Sequence, residues 1–162
     1  MNCEIRIGLG EDLHRLKEGR ELILGGVKIP YELGLDGHSD ADCVLHALTD
    51  ALLGAASLPD IGTLFPDDDP MYCGADSKRL LEKAYGMVRE KGYRLVNADL
   101  VIIAQKPKLK EFVPIMKESI ASVLGARDSD IGIKCKTQEG LGPIGEGLAI
   151  ECLATVLIER GN

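Results

Sequence analysis

The three histidines of this 162-residue chain, His14, His38 and His46, all lie within its first 46 residues. Asp12 and His14 are two residues apart in a segment that alternates like a β-strand, so their side chains should point to the same side of a sheet. His46 lies in a later segment with helical spacing, and one fold-back of the chain could bring its imidazole close to them. Two imidazoles and a carboxylate form a known ligand set for catalytic zinc, with a fourth position open for water or substrate. The same set suits non-haem iron, so these residues predict a metal site without fixing the metal.

A helix predicted over residues 39–56 presents His46 beside a buried stripe. Asp42 and Asp50 lie four residues either side of His46 and form a polar column with it. We hypothesise that these two aspartates accept hydrogen bonds from the metal-bound histidines. The apolar stripe that packs on the core consists of Ala41, Leu45, Leu48, Leu52 and Ala55.

His38 and Ser39 stand just before this helix. Unpaired N–H groups and the positive end of the helix dipole make such a position favourable for phosphate. Ser39 or Asp40 can also cap the first turn. The plain alternative is that Ser39 is only a cap and His38 is a solvated loop residue.

The remaining pattern interleaves strands and helices without repeats or a domain boundary. Residues 21–32 predict a hairpin around Gly25 and Gly26, and residues 58–76 predict a long loop. Helices are expected over 77–92 and 108–124, and strands over 4–10 (running on to 12–14), 93–105, 131–137 and 149–159. The last of these is ambiguous, and its β-branched residues favour a strand. We therefore predict one domain of the α/β (α+β) class, spanning 1–162, with a mixed β-sheet and helices packed on it.

Composition excludes several kinds of partner. The formal charge of −7 makes the surface a poor partner for nucleic acid, although K-P-K-L-K at 106–110 could serve a small anion. Five scattered cysteines without a C-x-x-C pair argue against a disulfide framework or a thiolate zinc site, and favour a reducing compartment. No apolar run approaches the roughly 20 residues that span a bilayer, so we predict no membrane segment and a cytoplasmic protein. The G-x-S-x-G, Walker A and G-x-G-x-x-G signatures are absent.

Several blocks along the chain resemble one enzyme family. In order they include G-L-G-E-D-L-H, I-L-G-G-V-x-I-P-Y-E, H-S-D-A-D-x-x-L-H, D-I-G-x-L-F-P-D-D-D-P, G-A-D-S and I-I-A-Q-K-P-K. Together they are similar to the 2-C-methyl-D-erythritol 2,4-cyclodiphosphate synthases of the non-mevalonate isoprenoid pathway. The resemblance implies a homotrimer with active sites between subunits. It also implies an intramolecular reaction: the 2-phosphate of 4-diphosphocytidyl-2-C-methyl-D-erythritol 2-phosphate attacks the β-phosphorus of the diphosphate, and CMP leaves.

The resemblance further implies roles for individual residues. Glu139 matches the carboxylate that holds a second divalent cation, Mg²⁺ or Mn²⁺. His38 and Ser39 match a pair that contacts the substrate's phosphates, and His38 and Thr137 match the catalytic residues that stabilise the transition state. The zinc ligands fall on Asp12, His14 and His46.

Substrate contacts are implied in three groups. Near the metal and the phosphates they include Asp12, His14, Lys136, Thr137, Gln138 and Glu139. Contacts with the methylerythritol unit fall on Asp60, Ile61, Gly62, Phe65, Asp67 and Asp69. The cytidine pocket, contributed by the neighbouring subunit, falls on residues 104–110, with contacts from Ala104, Pro107, Lys108 and Lys110.

The chain departs from the family pattern at three places. Glu11 stands where an aromatic residue is usual, and Lys136 stands where threonine is common and could add a phosphate contact. G-P-I-G-E-G at 142–147 is shorter than the usual glycine-rich loop and lacks its Phe and Arg, residues associated with an anionic ligand in the trimer's central cavity. Two other functions stay open: a zinc-dependent phosphohydrolase, which would release inorganic phosphate, and a metal-stabilised interaction protein, whose metal would have a closed shell.

Overall fold

A computed structural model describes residues 3–66 and 68–161 of this chain and has the mixed α/β architecture predicted from sequence. The strands are β1 (Glu4–Lys17), β2 (Leu22–Leu24), β3 (Val27–Ile29), β4 (Gly34–Leu35), β5 (Arg94–Ile103), β6 (Ile131–Lys136) and β7 (Ala149–Arg160). The helices are α1 (Cys43–Ala55), α2 (Ile61–Leu64), α3 (Ser77–Glu90), α4 (Val113–Leu124) and α5 (Gly142–Gly145).

Within the described residues, the main sheet has five strands in the order β4-β1-β7-β5-β6. Strands β5 and β6 run parallel, and the other neighbours are antiparallel. The ambiguous C-terminal segment is the central strand β7, paired on one side with β1 and on the other with β5. The predicted hairpin is also confirmed: β2 and β3 pair around Gly25 and Gly26, whose φ angles of 59° and 74° suit a two-residue turn.

Helix α1 begins four residues later than its pattern predicts. Asp42 has an extended backbone and caps the helix, because its carboxylate accepts the N–H groups of Val44 and Leu45, each at 3.1 Å. The expectation that Ser39 or Asp40 caps this helix is therefore wrong.

Two other predicted segments also differ in their bounds. Helix α4 begins at Val113, with a proline in its first turn, after a single 3-10 turn at Lys110–Phe112. The segment 58–76, predicted to be a loop, contains α2 and a 3-10 turn at Pro70–Tyr72. Among the described residues, no helix has the length and hydrophobicity that a membrane crossing requires.

Helix α1 approaches β1 so closely that only glycine fits beneath it. A Cβ atom on Gly10 would lie 1.9 Å from the carbonyl oxygen of Ala47, and Gly8 makes the equivalent contact one turn further along the helix. The glycines of Gly8-Leu9-Gly10 therefore allow the close packing of α1 on β1. The same contact holds His46, on α1, against the part of β1 that carries Asp12.

The face of the sheet opposite α1 exposes a row of apolar side chains. They occupy alternate positions of β1, and the exposed fractions are 59% for Ile5, 79% for Ile7, 66% for Leu9 and 49% for Leu13. The exposed Glu11 interrupts this row between Leu9 and Leu13, and the uninterrupted part, Ile5, Ile7 and Leu9, is typical of an interaction surface rather than of a face left in water.

Candidate metal and phosphate site

The structure brings Asp12, His14 and His46 together, with one ligand atom of each within 4.8 Å of the others. Asp12 Oδ2 lies 2.8 Å from Nε2 of His14 and 3.2 Å from Nδ1 of His46. Asp12 and His14 lie on the side of β1 that faces α1. The His14 and His46 rings meet edge to face, with 5.6 Å between their centroids. The grouping expected from the strand and helix periods is thus the one observed.

The charge state of this cluster suits a divalent cation. Burial raises the pKa of Asp12, but its interactions with the adjacent His14 and His46 imidazoles outweigh burial and lower the pKa to about 2. Asp12 is therefore anionic at neutral pH. One carboxylate and two imidazole nitrogens at this spacing fit Zn²⁺ with an open fourth position.

Hydrogen-bond acceptors lie behind both imidazoles. Nδ1 of His14 is 2.7 Å from the backbone carbonyl oxygen of Asp36, which can only accept, so this nitrogen carries the proton. Nε2 of His46 is 2.8 Å from Oγ of Ser77. Sequence reasoning missed both partners: a backbone carbonyl leaves no side-chain signal, and Ser77 appeared only as the last letter of the G-A-D-S block.

Asp42 and Asp50 do not support the histidines, and that hypothesis is wrong. The fully buried carboxylate of Asp42 accepts the N–H groups of Gly25 at 2.9 Å and Gly26 at 2.6 Å, besides capping α1. Burial raises its pKa to about 6, although these N–H groups act in the opposite direction. Asp50 accepts the N–H of Ile61 at 2.7 Å. Each carboxylate therefore fixes a neighbouring turn instead of an imidazole.

A cavity of about 210 Å³ opens beside the metal cluster, and His38 and Ser39 line it. Nε2 of His38 lies 3.3 Å from the carbonyl oxygen of Asp69, and Oγ of Ser39 lies 3.3 Å from Nε2 of His46. The first N–H groups of α1 are bound by Asp42, so the helix N-terminus is not the anion site that the sequence suggested. The side chains of His38 and Ser39 remain the groups that could contact phosphate here.

The segment after α1 forms the outer wall of this cavity. Of the residues expected to contact methylerythritol, Ile61, Gly62 and Phe65 line it. Asp60 accepts the N–H of Thr63 at 2.8 Å, and Asp69 accepts the N–H of Met71 at 2.9 Å, so each caps a short turn. Asp67 lies outside the described residues. Tyr72, which no motif predicted, also lines the cavity and meets the Phe65 ring at 5.4 Å.

The residues expected to hold cytidine lie in a second cavity of about 200 Å³. It is formed by the ends of β5 and β6 and lined by residues that include Ala104, Pro107, Lys108, Lys110, Lys136 and Thr137. Gln138 and Glu139 follow directly, and the Thr137 hydroxyl donates to the Glu139 carboxylate at 3.1 Å. No described residue lines both cavities. Strands β1 and β6 are three strand spacings apart, about 14 Å, so one chain keeps the two sets of residues separate.

Residues 5–159 match the YgbB family. The chain belongs to the YgbB family. A relative, the 2-C-methyl-D-erythritol 2,4-cyclodiphosphate synthase of Gloeobacter violaceus, is 55% identical over 157 residues, which cover 97% of this chain and 96% of the relative.

Solved structures of similar sequence share this YgbB-family fold. The bifunctional IspDF from Campylobacter jejuni matches with a TM-score of 0.96 and 43% identity, over 99% of this chain and 44% of that longer chain. IspF of Plasmodium falciparum, solved as a CDP complex, matches with a TM-score of 0.86 and 40% identity, over 98% of this chain and 97% of that chain.

Proposed function

We propose that this chain is a metal-dependent phosphorus–oxygen lyase of isoprenoid precursor biosynthesis. It converts 4-diphosphocytidyl-2-C-methyl-D-erythritol 2-phosphate to 2-C-methyl-D-erythritol 2,4-cyclodiphosphate and releases CMP. The observation that carries the proposal is the cluster of Asp12, His14 and His46 at one side of a cavity that His38 and Ser39 also line. Relatives of 50% identity and more that bear the name of this synthase support it.

The reaction needs positioning and charge neutralisation, because the nucleophile belongs to the substrate. Asp12, His14 and His46 would hold Zn²⁺, which when bound supplies Lewis-acid polarisation of a phosphate oxygen. His38 and Ser39 offer an imidazole and a hydroxyl to the phosphate oxygens on which charge develops. Alignment of the attacking phosphate with the diphosphate then lowers the barrier without a covalent enzyme intermediate.

The second half of the site supplies the nucleotide contacts. Lys108, Lys110 and Lys136 add positive charge beside the apolar pocket at Ala104, a combination suited to a nucleoside diphosphate. Glu139 would hold Mg²⁺ or Mn²⁺. Its carboxylate is exposed and accepts a hydrogen bond from Thr137, so it would be a single protein ligand for an ion that water and substrate phosphates also coordinate.

The two cavities favour a homotrimer in which each active site is completed by a neighbouring chain. Each cavity is below the roughly 300 Å³ at which small-molecule sites usually begin, so neither alone would enclose the whole substrate. The exposed apolar row of β1 offers a surface through which chains could associate. We place this assembly, one catalytic domain per chain, in the cytoplasm, in keeping with the absence of disulfides among the described cysteines.

A phosphorus NMR time course with the named substrate, Zn²⁺ and Mg²⁺ tests the reaction. We expect a cyclic diphosphate that grows in step with CMP. Asp12→Asn should lower the rate by at least about 100-fold, because it removes the anionic metal ligand. Asp36→Asn is the matched control: it removes the same charge next to the site, but Asp36 contacts His14 through its backbone carbonyl. Inorganic phosphate in place of CMP would establish the phosphohydrolase instead, and unchanged substrate with metal-loaded protein would refute the cyclase.

The trimer is tested by a charge on the apolar row. Ile7→Lys should convert the assembly to monomers in light scattering, because a lysine at a buried apolar interface is strongly unfavourable. Ile115→Lys is the control, since Ile115 is 52% exposed but lies on α4. A wild-type monomer, or an unchanged mass for Ile7→Lys, would contradict this assembly.

A further inference from the structure

Ser77 lies behind His46, against the ring nitrogen that faces away from Asp12, and is only 1% exposed. Its Oγ is 2.8 Å from Nε2 of His46 and forms a short hydrogen bond with Oδ1 of Asp40. Its backbone N–H donates to Oδ2 of the same aspartate at 3.0 Å. Asp40, Ser77 and His46 thus form one connected chain of hydrogen bonds that ends at the candidate metal site, and Ser77 is 31 or more residues away from the other two.

The directions of these hydrogen bonds follow from their chemistry. An ionised carboxylate can only accept, so the Ser77 hydroxyl donates its proton to Asp40. Oγ of Ser77 then acts as the acceptor for Nε2–H of His46. A neutral imidazole carries one proton, so a His46 that is protonated on Nε2 keeps the lone pair of Nδ1 for a metal ion bound beside Asp12.

We infer that Asp40 and Ser77 are positioning residues that hold His46 in the tautomer able to bind a metal through Nδ1. The inference rests on the proposed metal centre and names what orients one of its ligands. Metal-bound histidines usually donate their second ring N–H to an acceptor, and loss of that acceptor weakens metal binding. Oγ of Ser39 also lies 3.3 Å from Nε2 of His46, but the Ser77 hydroxyl is closer, at 2.8 Å, and its own proton is donated to the Asp40 carboxylate.

Helix capping does not account for the Ser77 hydroxyl. Helix α3 is capped by Asp76, whose carboxylate accepts the N–H of Lys78 at 2.9 Å. The bond from the Ser77 N–H to Asp40 uses the backbone and persists when the side chain is shortened. Within the described residues, the hydroxyl itself has hydrogen bonds with Asp40 and His46. Ser77→Ala therefore removes the proposed positioning contact and keeps the cap.

The test measures zinc affinity by competition with a chromophoric chelator, without substrate. We expect Ser77→Ala to bind zinc 10- to 100-fold more weakly than the wild type, a range of about the size seen for such partners. Thr49→Val is the matched control, because Thr49 is fully buried in α1 and its hydroxyl donates to the carbonyl oxygen of Leu45 and not to a metal ligand. This variant loses a buried hydroxyl and should keep wild-type affinity. Ser77→Thr retains the hydroxyl and should restore most of the binding.

A second readout follows the His46 tautomer in the metal-free protein. Long-range proton–nitrogen NMR should show a smaller share of the Nε2–H form of His46 in Ser77→Ala than in the wild type and in Thr49→Val, because Ser77→Ala removes the acceptor at Nε2. Equal zinc affinities for Ser77→Ala and Thr49→Val, or an unchanged tautomer in Ser77→Ala, would overturn the inference. If the wild type binds no zinc, both the proposed metal centre and this inference are refuted. If it binds zinc but does not cyclise the substrate, only the proposed reaction fails.

Discussion

Gly10→Ala should disturb the metal site through packing alone. The added Cβ would lie 1.9 Å from the carbonyl oxygen of Ala47 and 2.7 Å from the N of Ala51, whereas real Cβ contacts below 3.0 Å essentially never occur. These are backbone atoms of α1, so no side-chain rotation can relieve the overlap. The helix must move away from β1 by about 1 Å. Ala47 adjoins His46, so this movement also separates His46 from Asp12.

The expected size follows from overpacking in a rigid core. Forcing one methyl group into a filled space typically costs about 1–3 kcal/mol of unfolding free energy. A displacement near 1 Å also degrades a ligand set whose geometry must hold within about 0.5 Å, so we expect zinc affinity to fall by about 10- to 100-fold. Gly54→Ala is the matched control in the same helix. Gly54 is exposed and has no atom within 4 Å of a built Cβ, so this change should stabilise the protein by up to about 1 kcal/mol.

Urea unfolding with a chelator present measures the change in unfolding free energy that packing causes. Competition with a chromophoric chelator measures the change in zinc affinity. The two glycine variants should move the unfolding free energy in opposite directions, and only Gly10→Ala should weaken zinc binding. If Gly10→Ala keeps both wild-type values, α1 does not rest on β1 at the distance described. A loss of stability with full zinc affinity would show that the strain is relieved away from His46.

Two further predictions concern Asp42 and the wall of the cavity. Burial raises the pKa of Asp42 to about 6 in the folded protein, so the folded state binds this proton more tightly than the unfolded chain does. The resulting stability is complete below about pH 4 and is lost as pH rises through about 6, by at most about 1.4 kcal/mol per pH unit. Asp42→Asn should remove that slope in urea unfolding between about pH 4 and 6.5. An unchanged slope would mean that the N–H groups around Asp42 offset its burial. Lys83→Met removes an ammonium that lies 5.4 Å from the Phe65 ring centroid and 6.0 Å from that of Tyr72. Because this cation–π contact is worth about 0.5–1 kcal/mol, we expect KM for the proposed substrate to rise about 2- to 5-fold with kcat little changed. An unchanged KM would show that this contact does not contribute to substrate binding.

The sequence by itself determined the longer strands and helices and the membership of the metal cluster. Strand alternation places Asp12 and His14 on one side because the strand period is two, and the helical period places His46 on the following helix. These are local rules, and the structure confirms the elements they predict. The C-terminal strand is a similar case, since its β-branched residues favoured the strand that the pairing with β1 and β5 shows.

Only the tertiary structure decided which polar groups serve the site and which serve the fold. Asp42 looked like a partner of His46 by spacing, but contacts with the Gly25–Gly26 turn, distant in sequence, use its oxygens and fix where α1 starts. Ser77 carried no helical or strand signal towards His46, and 31 residues separate them. Such contacts depend on how elements pack, which a local period does not encode. The sequence pattern therefore fixes which face a side chain occupies, whereas its hydrogen-bond partner is chosen by the long-range fold.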